Sequence, residues 1–231
     1  MSPKIIYQDD SFMVVDKPAG WIVNDAETAI NQPTLQSWLA KQKFPLAGDR
    51  EYRSGIVHRL DKETSGILLV AKTKETFKGL QKQFKERKIR KTYLALVHGH
   101  VERGQGEIVA PVGRLPWRRD RFGVLPGGRE ATTGYKVTRY YDTKSGDYSL
   151  VEFYPKTGRT HQIRIHAKYL GHPIVADEFY AGRKTARNDR KWCPRLFLHA
   201  AKISFFHPKT GKRVTFESRL PQELEEALEA G

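Results

Sequence analysis

The run Gly66-Ile67-Leu68-Leu69-Val70-Ala71 constrains the fold more than any other stretch of the chain. It offers no polar side chain to either face, so a strand built from it must be covered on both sides. Such a strand lies inside a sheet, with other strands beside it and helices on top. Ile5-Ile6-Tyr7 and Phe12 to Val15 flank the pair Asp9-Asp10 and predict a hairpin. Tyr93 to Val97, Ala131 to Tyr140, Leu150 to Tyr154, Leu196 to Phe206 and Arg213 to Phe216 predict further strands. Three segments have helical spacing instead. Leu35, Trp38 and Leu39 follow the cap residue Thr34. Phe77, Leu80 and Phe84 share one helix face, opposite Lys78, Lys82 and Lys85. Ile163, Ala167 and Leu170 form a stripe that Gly171 ends. A fourth helix, acidic, is expected from Pro221 onward. Strands without regular βαβ alternation predict an α+β protein with a mixed, largely antiparallel sheet and flanking helices. No repeat or low-complexity linker interrupts residues 1–231, which read as one domain.

The 231 residues carry 41 Lys and Arg against 26 Asp and Glu, a net charge of +15. A surplus of this size attracts polyanions, RNA or DNA before other partners, because the basic residues also cluster. Cys193 is the single cysteine, so the chain can form neither an intrachain disulfide nor a zinc finger. It reads as a buried small apolar residue. The first twenty residues lack the pattern of a signal peptide, and no apolar run is long enough to span a membrane. A cytoplasmic monomer is the expectation.

Three segments concentrate the charge. Lys72 to Lys91 holds nine Lys or Arg, including Lys78, Lys82 and Lys85, against Glu75 and Glu86. Like charges one helical turn apart destabilise a helix, and phosphates would offset that cost. Arg114, Arg118, Arg119 and Arg121 lie with Trp117 and Phe122 in a Gly/Pro-rich stretch, expected to be a loop suited to unpaired bases. Arg183 to Arg195 forms the third cluster, around Trp192.

The segment that carries chemistry is His58-Arg59-Leu60-Asp61-Lys62-Glu63-Thr64-Ser65-Gly66, immediately before the apolar run. Taken alone, Asp61 would be read as a turn former. The string HRLDKETSGILLVAK, however, closely resembles the HRLD-x-x-TSG pattern of the RluA-type pseudouridine synthases. Asp16 to Gly20 (DKPAG) and Lys91 to Gly99 (KTYLALVHG) resemble further motifs of that family. So do Gly158 to His166 (GRTHQIRIH), Gly171 to Asp177 (GHPIVAD) and Leu196 to Ala200 (LFLHA), all in the family's order.

The resemblance implies the pseudouridine synthase fold with a central RNA-binding cleft. It implies Asp61 as the catalytic aspartate, Tyr93 as the aromatic packed on the target uracil, and Arg164 as the arginine paired with the aspartate. Leu198 would line the pocket, and Arg59 would hold the RNA around the extruded nucleotide. His58 and Thr64, in the same motif, join the expected substrate contacts, with Lys78, Lys82, Lys85, Arg118 and Arg119 on the RNA. The partner implied is structured RNA, ribosomal or transfer, with no obligate protein partner. Many relatives carry an N-terminal RNA-binding module; here strand-like sequence begins at Ile5, which leaves that module no room.

The residue types suit the reaction. Uridine becomes pseudouridine when the N1–C1′ bond breaks, the ring turns over and C5 joins C1′. Nothing is oxidised or added, so no cofactor is expected. A carboxylate can act as nucleophile or base. Desolvation raises its pKa and an opposed guanidinium lowers it again. An aromatic ring retains a detached base by stacking worth about 1–3 kcal/mol. Without the resemblance, Tyr93 reads more readily as a core residue and Arg164 as a helix-surface arginine. His98, His100, His161, His166 and His199 show no ligand spacing with acids, and no metal site is expected. Two other readings are an inactive RNA-binding protein with the same fold and a metal-dependent nuclease.

Overall fold

The computed structural model describes residues 1–25 and 32–230, with the side chains of Arg119 and Ala230 outside that description. The first elements are β1 (Lys4–Gln8), β2 (Phe12–Lys17), α1 (Leu35–Leu39), β3 (Ser65–Ala71) and α2 (Lys74–Lys85). Then come β4 (Arg90–His98), β5 (Gln105–Val109), β6 (Val112–Leu115), β7 (Arg118–Val124), β8 (Thr132–Thr143) and β9 (Gly146–Pro155). The last are α3 (Gln162–Tyr169), α4 (Arg183–Asp189), β10 (Leu198–Phe206), β11 (Arg213–Glu217) and α5 (Gln222–Ala230). Contacts group them into two units, residues 1–91 with 200–219, and residues 92–199 with 220–231.

In the first unit the strands run in the order β1-β2-β3-β10, with β11 on β10. Every residue of β3 is buried, as the apolar run requires. The predicted hairpin is β1-β2, antiparallel, and Asp9 shapes its turn by accepting the N–H groups of Ser11 (2.7 Å) and Phe12 (2.9 Å). Helix α1 starts at Thr34, whose hydroxyl accepts the Ser37 N–H at 3.1 Å. Helix α2 lays Phe77 and Leu80 on a core made by Phe12, Val14, Ile67, Leu69, Ile203 and Phe205. Gly66 has φ +110°, and a Cβ there would stand 2.4 Å from the Ala200 carbonyl oxygen, so only glycine lets the backbones approach this closely.

The second unit orders its strands β4-β9-β8-β5, all antiparallel, with β6-β7 as a separate two-stranded ribbon. The arginine-rich stretch expected to be a loop is this ribbon. Its ladder pairs Val112 with Val124 and Arg114 with Phe122, and a bulge before Leu115 absorbs the irregular turn. Gly and Pro content hid the pairing, since glycines at Gly113 and Gly123 face each other across it. Helix α4, in the third basic cluster, and strand β5 were also not foreseen. Helix α3 runs to Tyr169 with Leu170 as its C-cap, and Gly171 follows at φ +92°, as its spacing predicts. Cys193 is fully buried, its thiol donates to the Arg195 carbonyl at 3.1 Å, and burial pushes its pKa up to about 11. Among the described residues no helix is long and apolar enough to cross a membrane.

Candidate active site

Asp61 lies in the first unit, half-buried, on the turn that feeds β3. The turn is fixed on three sides. Its own backbone closes through the Thr64 N–H, which donates to the Asp61 carbonyl at 3.2 Å. The Lys62 carbonyl accepts the Gly20 N–H at 2.8 Å and the Lys17 ammonium at 3.2 Å. Lys17 is completely buried and also reaches the carbonyls of Pro18 and Trp21, each at 3.0 Å. The DKPAG segment is therefore a cradle for the Asp61 turn, a role the sequence did not assign to Lys17. A buried ammonium is tolerated only where hydrogen bonds replace its hydration.

His58 secures the entry to the turn. Its Nε2 accepts the Leu69 N–H at 2.9 Å, which ties the segment to β3 and places the neutral ring's proton on Nδ1. Burial, assisted by the Lys91 charge, pushes the His58 pKa down to about 3. Burial likewise lowers Lys91 to about 8. Leu60 is buried and Arg59 exposed, so the turn anchors one side chain inward and offers the next to solvent. Thr64 is 2% exposed, and its hydroxyl has no hydrogen-bond partner among the described residues. A buried hydroxyl left so costs about 1–3 kcal/mol.

Tyr93, Arg164 and Leu198 belong to the second unit. Tyr93 lies on β4 opposite Phe153 and is buried. Leu198 is buried at the start of β10. Arg164 is 3% exposed, so the helix-surface alternative is wrong for it. Its guanidinium makes a two-pronged pair with Asp177, Nε to Oδ2 at 2.7 Å and Nη2 to Oδ1 at 2.8 Å. The rings of Phe179 and Tyr180 lie 5.4 and 5.1 Å from it. Asp177 had been seen in the sequence only as the end of a motif. Helix α3 also buries Gln162 and His166, each with a partner: Gln162 donates to Thr133 Oγ1 at 2.9 Å, and His166 Nε2 meets the Ala110 carbonyl at 3.0 Å.

The proposed RNA contacts separate by element. Lys78, Lys82 and Lys85 are exposed on α2, with Lys82 3.9 Å from Glu86. Arg118 is exposed on β7 beside Trp117, which is 72% exposed at the ribbon's turn. The side chain of Arg119 lies outside the described residues. Arg114 stands 5.3 Å over the Phe122 ring, and Arg121 donates to the Phe179 carbonyl at 2.9 Å. The structure also brings His100 within 3.1 Å of Asp142, with Asp147 alongside, all exposed. Sequence spacing missed that group because a hairpin assembles it.

Residues 11–169 match the family model described as RNA pseudouridylate synthase. The chain is 37% identical over 227 residues to an uncharacterized RNA pseudouridine synthase of Synechocystis, covering 97% of this chain and 67% of that protein. It is 36% identical over 228 residues to a ribosomal large subunit pseudouridine synthase D of Zymomonas mobilis, covering 96% and 70%. The chain thus spans about two thirds of the length of these curated relatives. Among solved structures, human RNA pseudouridylate synthase domain containing 1 superposes with a TM-score of 0.71 at 27% identity, covering 97% of this chain and 87% of that one.

Proposed function

The chain belongs to the RNA pseudouridylate synthase family, whose reaction turns uridine in RNA into pseudouridine, and on that premise we propose that Asp61 is its catalytic carboxylate. The observation that carries this reading is the construction of the Asp61 turn. Its backbone is clamped by Lys17, Gly20 and His58, and Asp61 is held half-buried on the turn that feeds β3. Rigid support under one partly open acid is what positional catalysis needs.

In this reading the two units together form one catalytic domain. The target uridine leaves its stack, at a cost of a few kcal/mol, and presents its sugar and ring to Asp61. Asp61 attacks or takes a proton, the N1–C1′ bond breaks, and Tyr93 retains the uracil while it turns. C5 then joins C1′, the C5 proton departs and N1 gains one, so atoms and charge balance without a cofactor. Arg164 keeps a positive charge beside the reacting groups. Arg59 and the Thr64 hydroxyl serve the extruded nucleotide; Leu198 lines the pocket.

Large-subunit ribosomal RNA is the first target to test, because curated relatives carry that substrate in their names. Transfer RNA is the second. The β6-β7 ribbon, with Trp117 exposed among arginines, is the proposed reader of the target. The acting protein is taken as a cytoplasmic monomer. Asp61→Asn should abolish pseudouridine formation and leave RNA binding within about severalfold. Full activity, or an equal loss of binding, refutes the assignment. Excess chelator should leave the reaction unchanged, whereas a metal-dependent nuclease would stop.

A further inference from the structure

The surroundings of Arg164 account for how a buried guanidinium can be held in one orientation. Its side chain has several rotatable bonds, and two parallel hydrogen bonds to one carboxylate fix the plane as well as the place of the charge. Asp177 provides both bonds, through Nε at 2.7 Å and Nη2 at 2.8 Å. Asp177 cannot swing either, because Oδ1 also accepts the N–H groups of Phe179 (3.0 Å) and Tyr180 (3.2 Å).

What delivers Asp177 is the residue before it. Ala176 is fully buried with φ +60°, a backbone state that an L residue enters at a cost. It is held there by Asp189, at the end of α4, whose Oδ2 accepts the Ala176 N–H at 2.8 Å. The same oxygen lies 3.0 Å from His98 Nε2, which must be the donor because a carboxylate only accepts. His98 is in turn fixed at the end of β4, where its N–H donates to the Pro173 carbonyl at 3.0 Å. A continuous set of contacts therefore runs from β4 through Asp189 and Ala176 to Asp177 and Arg164.

We propose that Asp177 is a positioning residue for Arg164, and that the His98–Asp189 pair braces the left-handed Ala176 that presents it. This rests on the reading that Arg164 serves the isomerisation. Asp177 acts through the guanidinium, and His98 and Asp189 act through Asp177.

The test uses the full chain and total RNA from cells deleted for the gene, following total pseudouridine formed in single turnovers. Arg164→Lys should slow the reaction about a hundredfold; a wild-type rate would overturn the role of Arg164, and this inference with it. Asp177→Glu keeps the charge and moves the oxygens. It should also slow the reaction about a hundredfold, with half-saturating RNA within about threefold and Tm within a few degrees. The double variant should be no slower than either single one, because both changes disable one group. His98→Phe should slow the reaction about tenfold, and His98→Gln, which retains an N–H donor, should return it to within about threefold. If Asp177→Glu does not fold, the His98 pair decides. Wild-type rates in Asp177→Glu and His98→Phe, with Arg164→Lys slow, overturn this inference alone. Additive losses in the double variant also overturn it.

Discussion

Thr64 poses the sharpest question at the scale of single residues. A hydroxyl buried with no partner among the described residues lowers stability, yet it lies three positions after Asp61 in the same turn. Thr64→Val removes the oxygen and keeps the shape, so the urea midpoint should hold or rise. If the hydroxyl serves the nucleotide, pseudouridine formation should fall about tenfold, the size of one hydrogen bond. A lower midpoint with unchanged activity would make the residue purely structural. His58 carries a pH dependence with a definite sign. Its pKa is pushed down to about 3 from 6.5, so below pH 6.5 the unfolded chain takes a proton that the folded chain refuses. Stability should therefore decline between pH 6.5 and 3, by about 1.4 kcal/mol per pH unit from this one group. Urea titrations of His58→Gln should show a shallower decline, and an identical slope would contradict the assignment. Arg164 shows how far the sequence could go at this scale. Its helix was legible from the Ile163 spacing, but its partner stands thirteen residues on, beyond a glycine turn, where no periodicity reports contact.

Elements were legible where burial has a simple period. β3, the β1-β2 hairpin and α2 follow directly from apolar runs and alternation, and Thr34 marks the start of α1 through its side-chain cap. The β6-β7 ribbon was not, because it is held by cross-strand pairing, with Arg114 facing Phe122, rather than by a covered apolar face. Helix α4 escaped for a related reason. Its residues are basic and polar, and it is tied down by Asp189, a contact that exists only in three dimensions. The element that makes the Asp61 turn possible is β3 itself, and its weakest point is Gly66. A methyl there would meet the Ala200 backbone at 2.4 Å, and φ +110° suits no L side chain. Neither neighbour can yield without moving a strand. Gly66→Ala should cost on the order of 3 kcal/mol or more, read from the shift in urea midpoint. A loss under about 0.5 kcal/mol would show that β10 can slide, and that the close approach is not a constraint.

For the molecule as a whole, charge decides behaviour before shape does. With a net charge of +15, and exposed lysines on α2 and Arg118 exposed on the ribbon, binding to RNA should depend steeply on salt. With about six phosphates engaged, affinity should fall roughly a thousandfold between 50 and 200 mM salt, as filter binding can measure. A flat response would mean that base contacts dominate. Composition made this legible from the outset, and the order of the motifs made the family legible. The cradle of Lys17 carbonyl contacts and the Ala176 brace were not legible, since both depend on backbone atoms that look alike at every position. Cys193 gives the second unit a built-in clock. A lone thiol that is shut away and held protonated cannot react with an alkylating reagent until the polypeptide around it opens. The labelling rate of the untouched wild-type protein thus counts those openings one by one, and RNA that binds only the closed form should slow the count.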